Sequence, residues 1–181
     1  MTDGAVFHYD VGSPWCWLAG ERVTHVLGLV PVWQPVLAAG LPDADAAAPI
    51  DRAAVDAAAA AQGLPPPRWP DAFPFDSELA MRAATFAKQG GRAVAFSLAA
   101  MRQAFAGARD LSVLDNVLIA AAACELHPRA VLKGVETATV RNGLREATAA
   151  AAAAGVSEVP AVSVGDRVFT GPDAVEEAAA A

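Results

Sequence analysis

The chain opens with an apolar run, Val6 to Tyr9, followed by a turn at Asp10 to Gly12. The run reads as a short buried strand, because four apolar positions bounded by turn residues are too few for a helix. Ser13 and Pro14 then start a helical pattern that continues to Leu27 and stops at Gly28. Serine suits a helix N-cap, and proline is tolerated at the first helical position, where its missing N–H has no helical partner. Val30 to Leu37 alternates apolar and other residues and predicts a second strand. Its Pro31 and Pro35 must bound the strand or place it at a sheet edge. Strand, helix and strand at this spacing make a right-handed βαβ unit. Gly40 to Pro49 reads as a loop and Asp51 to Gln62 as a short alanine-rich helix. Leu64 to Pro74 holds five prolines together with Trp69 and Phe73, which excludes helix or central strand.

From Asp76 the pattern is helical almost to Gly155. Leu79, Arg82, Ala83 and Phe86 recur at helical spacing before Gly90 and Gly91 break the run. Val94, Leu98, Met101 and Phe105 form the stripe expected of the next helix. Leu111, Ser112 and Val113 lead into a further helix through about Cys124, and others are predicted from His127 and Pro128 and from Glu136 to Ala154. Ala161–Val164 and Arg167–Thr170 read as two strands of a hairpin turned by Gly165 and Asp166. A last helix opens at Pro172 or Asp173.

Composition narrows the function classes. In 181 residues with a formal net charge of −7, there is no clustered basic footprint for nucleic acid. The chain is 55% hydrophobic, a figure that alanine inflates, and no apolar run has the length and side-chain size of a membrane span. The N-terminal MTDGAVFHYD has no basic and apolar leader pattern, so a cytoplasmic protein is expected. The two cysteines, Cys16 and Cys124, lie far apart and match no metal motif; both are expected to be thiols. His25 and His127 are not spaced as a ligand pair, and His8 within the first strand reads as structural.

Chemistry concentrates at the start of the first helix. Unpaired N–H groups and the positive end of the helix dipole gather there and favour an anion, including a thiolate. Ser13 and Cys16 occupy this end at an S-x-x-C spacing.

The string D-V-G-S-P-W-C-W-L-A, from Asp10 to Ala19, resembles the opening of the DsbA-like thioredoxin superfamily. Its serine is similar to that of the 2-hydroxychromene-2-carboxylate isomerases and kappa-class glutathione transferases. Two later strings fit the same resemblance: F-P-F-D-S-x-x-A-x-R, from Phe73 to Arg82, and G-V-x-x-V-P followed by G-D-x-V-F-x-G-x-D, from Gly155 to Asp173. The resemblance implies an α/β, thioredoxin-like fold, β-α-β then β-β-α, with an all-helical insertion. The single DsbA-like domain would span 1–181, with thioredoxin-like parts at about 4–37 and 156–181 and the insertion at about 50–154.

It also implies a function: thiol-dependent cis-trans isomerisation of an aromatic enone such as a 2-hydroxychromene-2-carboxylate, or a related thiol transfer. Glutathione or another low-molecular-weight thiol would bind at Ser13, Val159, Pro160 and Asp173. Ser13 would be catalytic, and Val159 would offer its backbone to the cysteinyl part of the thiol. Trp15 and Trp69 are the expected substrate contacts; Trp17 and Phe73 read rather as core. Arg82 is open between a substrate carboxylate and a solvated helix face. A small aromatic substrate and a homodimer complete what the resemblance implies. Two alternatives stand beside it: a DsbA-like oxidoreductase using Cys16 as a single thiol, and a thioredoxin-like binding protein without catalysis. The stretch Ala38 to Ala61 departs from the family pattern, holding Arg52 but no lysine, tyrosine or tryptophan.

Overall fold

Residues Val6–Tyr9 (β1), Val32–Pro35 (β2), Ala161–Val164 (β3) and Arg167–Thr170 (β4) form one mixed sheet in the order β2-β1-β3-β4. β1 and β2 are parallel, with Phe7 opposite Trp33, while β3 runs antiparallel to both β1 and β4. This is the thioredoxin-like order, and it comes from a computed structural model that describes residues 4–43 and 49–181. The predicted loop from Gly40 to Pro49 lies partly outside the described residues. β2 is shorter than the predicted Val30–Leu37 and sits at the sheet edge, where its terminal Pro35 costs no central ladder bond. In the β3–β4 turn Gly165 takes φ 56, a positive angle that glycine adopts without steric cost.

The first helix, Pro14–Leu27 (α1), has the predicted boundaries: Ser13 caps its start, and Gly28 ends it at φ 65. Between β2 and β3 the chain is helical, with Arg52–Ala61 (α2), Glu78–Gln89 (α3), Ala93–Phe105 (α4), Leu114–Ala123 (α5), Pro128–Gly134 (α6) and Ala138–Ala153 (α7). The C-terminal Ala174–Ala179 (α8) packs beside α1 against β3 and β4. No helix among the described residues is long and apolar enough to cross a membrane.

The main core lies between one sheet face and the helices. Phe7, Tyr9 and Trp33 pack there with ring centroids 4.9–5.6 Å apart. Gly20 permits the approach of α1, since a Cβ there would come within 3.1 Å of the Trp33 ring. The predicted α4 stripe holds only in part. Met101 and Phe105 are buried as predicted, but Val94 is 40% exposed, and the buried face also carries Phe96, Ala100 and Ala104. Ser97 belongs to that face because its hydroxyl meets the buried Tyr9 hydroxyl at 2.6 Å.

The opposite sheet face holds a small polar cluster. His8 Nε2 lies 2.9 Å from Ser163 Oγ, and Lys88 donates to Gln34 Oε1 on the neighbouring strand. Burial, with a smaller contribution from Lys88, lowers the His8 pKa to about 4. The unfolded chain therefore takes up a proton near pH 6.5 that the folded chain refuses until about pH 4. Stability present above pH 6.5 is lost as the pH falls toward 4, by about 2 kcal/mol between pH 7 and 5. Urea unfolding at both pH values checks this: His8→Gln should remove that share of the loss, and an unchanged difference would exclude His8 as its source.

Candidate functional site

Asp10 follows β1 and is 2% exposed. Its Oδ1 accepts from the Gly12 N–H at 2.8 Å, and its Oδ2 accepts from the Ala38 N–H and the Ser77 hydroxyl, both at 2.9 Å. One carboxylate thus ties the α1 turn, the 3-10 turn Ala38–Gly40 and the start of α3. Burial raises its pKa; the three hydrogen bonds work against that, and the nearby Asp76 adds to it. Gly12 is required at this junction, because a Cβ would fall 2.9 Å from that of Ser77.

Ser13 sits three residues on, half-buried. Its oxygen accepts from the Cys16 N–H at 3.3 Å, so the hydroxyl proton is not consumed by the cap and can be donated to a ligand. Cys16 lies on the inward side of the same turn. It is fully buried, and its sulfur accepts from the Asp10 N–H at 3.5 Å. Burial pushes its thiol up to about 12, an effect the two hydrogen bonds reduce only in part. This corrects the expectation that both S-x-x-C residues meet favoured thiol chemistry: desolvation of Cys16 outweighs the helix end.

A cavity of about 640 Å³ opens at Ser13. Trp15 and Pro14 form one side, Ala38 and Ala39 another, Phe73 to Phe75 with Ser77 a third, and Glu158, Val159 and Pro172 a fourth. Asp10, Gly12, Asp43, Pro49, Ile50 and Arg52 complete it. The Val159–Pro160 peptide bond is cis, as is Phe73–Pro74. The Arg52 guanidinium stacks 4.7 Å from the Trp69 ring centroid and 5.8 Å from that of Phe73.

Of the residues singled out from sequence, Ser13, Trp15 and Val159 meet at this cavity. Pro160 is buried behind Val159, its carbonyl accepting from the Gly171 N–H at 2.9 Å. Trp69 and Phe73 exchange roles: Phe73 lines the cavity, while Trp69 packs behind it, 5.0 Å away, and against Phe105. Trp17 is core, 1% exposed. Asp173 is exposed at the N-cap position of α8 but makes no capping bond; its charge acts on Arg22. It lies one residue beyond the cavity-lining Pro172 and does not itself line the cavity. Arg82 pairs with Glu78 and lines a different cavity, so it does not face the Ser13 site. Sequence reasoning passed over Asp10, Ser77 and Glu158 as site residues. For Asp10 a signal existed, a carboxylate closing an apolar strand; for the other two only the fold brings them in.

A family model described as the DSBA-like thioredoxin domain matches residues 5–181. The chain belongs to the DsbA-like thioredoxin domain family. Solved structures share the fold of this DsbA-like chain at low identity. A 2-hydroxychromene-2-carboxylate isomerase is 16% identical with a TM-score of 0.80, over 93% of this chain and 89% of that one. A probable DsbA oxidoreductase from Streptomyces coelicolor is 21% identical with a TM-score of 0.76, over 97% and 86%. The cytosolic disulfide reductase DsbM from Pseudomonas aeruginosa, solved with GSH, is 16% identical with a TM-score of 0.67, over 96% of both chains. No curated protein matches the chain in sequence.

Proposed function

We propose that this DsbA-like protein is a thiol-dependent isomerase of a small aromatic enone, with glutathione or a similar thiol bound at Ser13. The observation that carries the reading is the contrast within one helical turn. Ser13 has a hydroxyl proton to donate at the cavity, while Cys16, the only thiol nearby, is buried and held protonated. That contrast speaks against a single-thiol oxidoreductase, which needs an accessible thiolate.

The cavity suits a tripeptide thiol. The Ser13 hydroxyl would stabilise the thiolate by a charge-assisted hydrogen bond. Val159 would pair its backbone with the thiol peptide in strand fashion, and the cis Pro160 would hold that segment in place. Arg52 offers a cation to a carboxylate, and Glu158 an anion to an ammonium group. Asp173, free of any cap, would meet the γ-glutamyl end beyond Pro172. A neighbour on the same fold binds GSH.

When bound, the thiol would supply a sulfur that adds reversibly to a conjugated double bond, letting it turn as a single bond before the sulfur leaves. The protein's share is positioning. Trp15, Phe73 and Phe75 would hold the aromatic body, and the α1 N–H end and Ser13 would keep negative charge favourable at the reacting atoms. Asp10 keeps these pieces in register. Full reversal makes the protein an isomerase; stopping at addition makes it a transferase. The proposal includes a cytoplasmic homodimer in which 4–37 and 156–181 form the thioredoxin-like parts around a helical insertion of 50–154.

Absorbance of a 2-hydroxybenzylidene 2-oxo acid, followed with and without glutathione, tests the reading. The expected result is catalysed interconversion of the two forms that requires the thiol and leaves its concentration unchanged. Thiol loss matching substrate loss would indicate the transferase. Equal turnover without thiol, or no turnover with it, would contradict the proposal.

A further inference from the structure

A second cavity, of about 470 Å³, lies behind the 3-10 turn and collects three guanidinium groups, those of Arg82, Arg141 and Arg145. Its one lining carboxylate is Glu78, and its apolar floor includes Leu37 and Leu144. Glu136 adds a second carboxylate at the rim, paired with Arg141, so three positive charges meet two negative ones, a local excess of one in a chain whose net charge is −7. The convergence follows from the helices. Arg141 and Arg145 are one turn apart on α7, hence neighbours on its surface, and Arg82 comes from α3, which packs against α7.

Each guanidinium is held by a local partner. Arg82 pairs with Glu78, Arg141 donates to the Glu136 carbonyl at 2.6 Å and pairs with the Glu136 carboxylate at 3.5 Å, and Arg145 donates to Asn142 Oδ1 at 2.9 Å. These bonds use only part of the five N–H donors each group carries, and they fix planar forks suited to oxyanions. The cavity is distinct from the Ser13 site. Ala38 and Ala39 face the larger cavity, while Leu37 and Gly40 of the same segment line the smaller one. Gly40 packs so closely on α7 that a Cβ would come within 2.9 Å of the Thr148 methyl.

We infer that this arginine cavity is a binding site for a small organic polyanion, either a phosphate ester or a polycarboxylate. The shared chemistry is two or more oxyanion groups on a body small enough to rest on the apolar floor. Calorimetric titration with pyrophosphate and with citrate, on the parent, an Arg141→Gln/Arg145→Gln double variant and Ser13→Ala, tests it. Both arginines are exposed, so their replacement leaves the fold intact. Saturable binding of either anion, weakened at least tenfold in the double variant and unchanged in Ser13→Ala, supports the site; the tighter anion identifies the head group. Three results overturn it: no saturable binding of either anion, equal binding in the double variant, or a loss of binding in Ser13→Ala. Heat reproduced by sodium chloride at equal ionic strength counts as no binding.

Discussion

Asp10→Ala is expected to destabilise the fold by about 2–5 kcal/mol, the range for breaking a buried hydrogen-bond network. The Asp10 carboxylate accepts from Gly12, Ala38 and Ser77, and alanine leaves all three half-buried donors at the cavity wall without that acceptor. Removing a costly buried charge offsets part of this, because burial already raises the Asp10 pKa. The donors nevertheless dominate, since two are backbone N–H groups of turns with no alternative partner in the structure. Asp10→Asn keeps one acceptor oxygen but puts an NH₂ against donors, so it should fall between the parent and alanine. Urea midpoints with an unchanged slope measure the loss. A change below about 0.5 kcal/mol, the scale of an ordinary surface substitution, would show that Asp10 does not hold the site together.

The second large effect is on turnover. Ser13→Ala should lower thiol-dependent kcat/KM by about 10–100-fold, the equivalent of one charge-assisted hydrogen bond. Some stability is lost too, about 1 kcal/mol for the missing N-cap. The pH profile separates the two effects. Without the hydroxyl the bound thiolate is less favoured, so the rise of rate with pH moves to higher pH, which a merely looser helix end would not produce. Cys16→Ser should stay within a few-fold of the parent. A serine there can still accept from the Asp10 N–H, and the proposed reaction makes no use of the buried thiol. If Cys16→Ser abolishes turnover while Ser13→Ala spares it, the single-thiol oxidoreductase becomes the correct reading.

How much of this was legible in the sequence depends on whether the signal was local. Ser13-Pro14 and Gly28 frame α1 because capping and a positive φ are local demands. The hairpin strands appear at their predicted residues for the same reason. The buried face of α4 was right at Met101 and Phe105 but incomplete, because alanine is apolar but small: Ala100 and Ala104 fill the interface, while the larger Val94 is left outside. Trp69 and Phe73 exchanged roles because a five-proline connection has no periodicity from which to read its inward side. Cys16 was read from its place at a helix end, but its chemistry depends on depth, which only packing reveals. Asp10 looked like a turn residue, which its bond from Gly12 bears out; its other two partners lie 28 and 67 positions away in sequence.

The central claim is that a low-molecular-weight thiol binds at the Ser13 cavity. Titration calorimetry of glutathione into the parent protein, Ser13→Ala and Asp173→Ala tests it most directly. The account predicts saturable binding to the parent, about tenfold weaker in Ser13→Ala and also weakened in Asp173→Ala. No saturable heat with the parent, or equal affinity in Ser13→Ala, would contradict it.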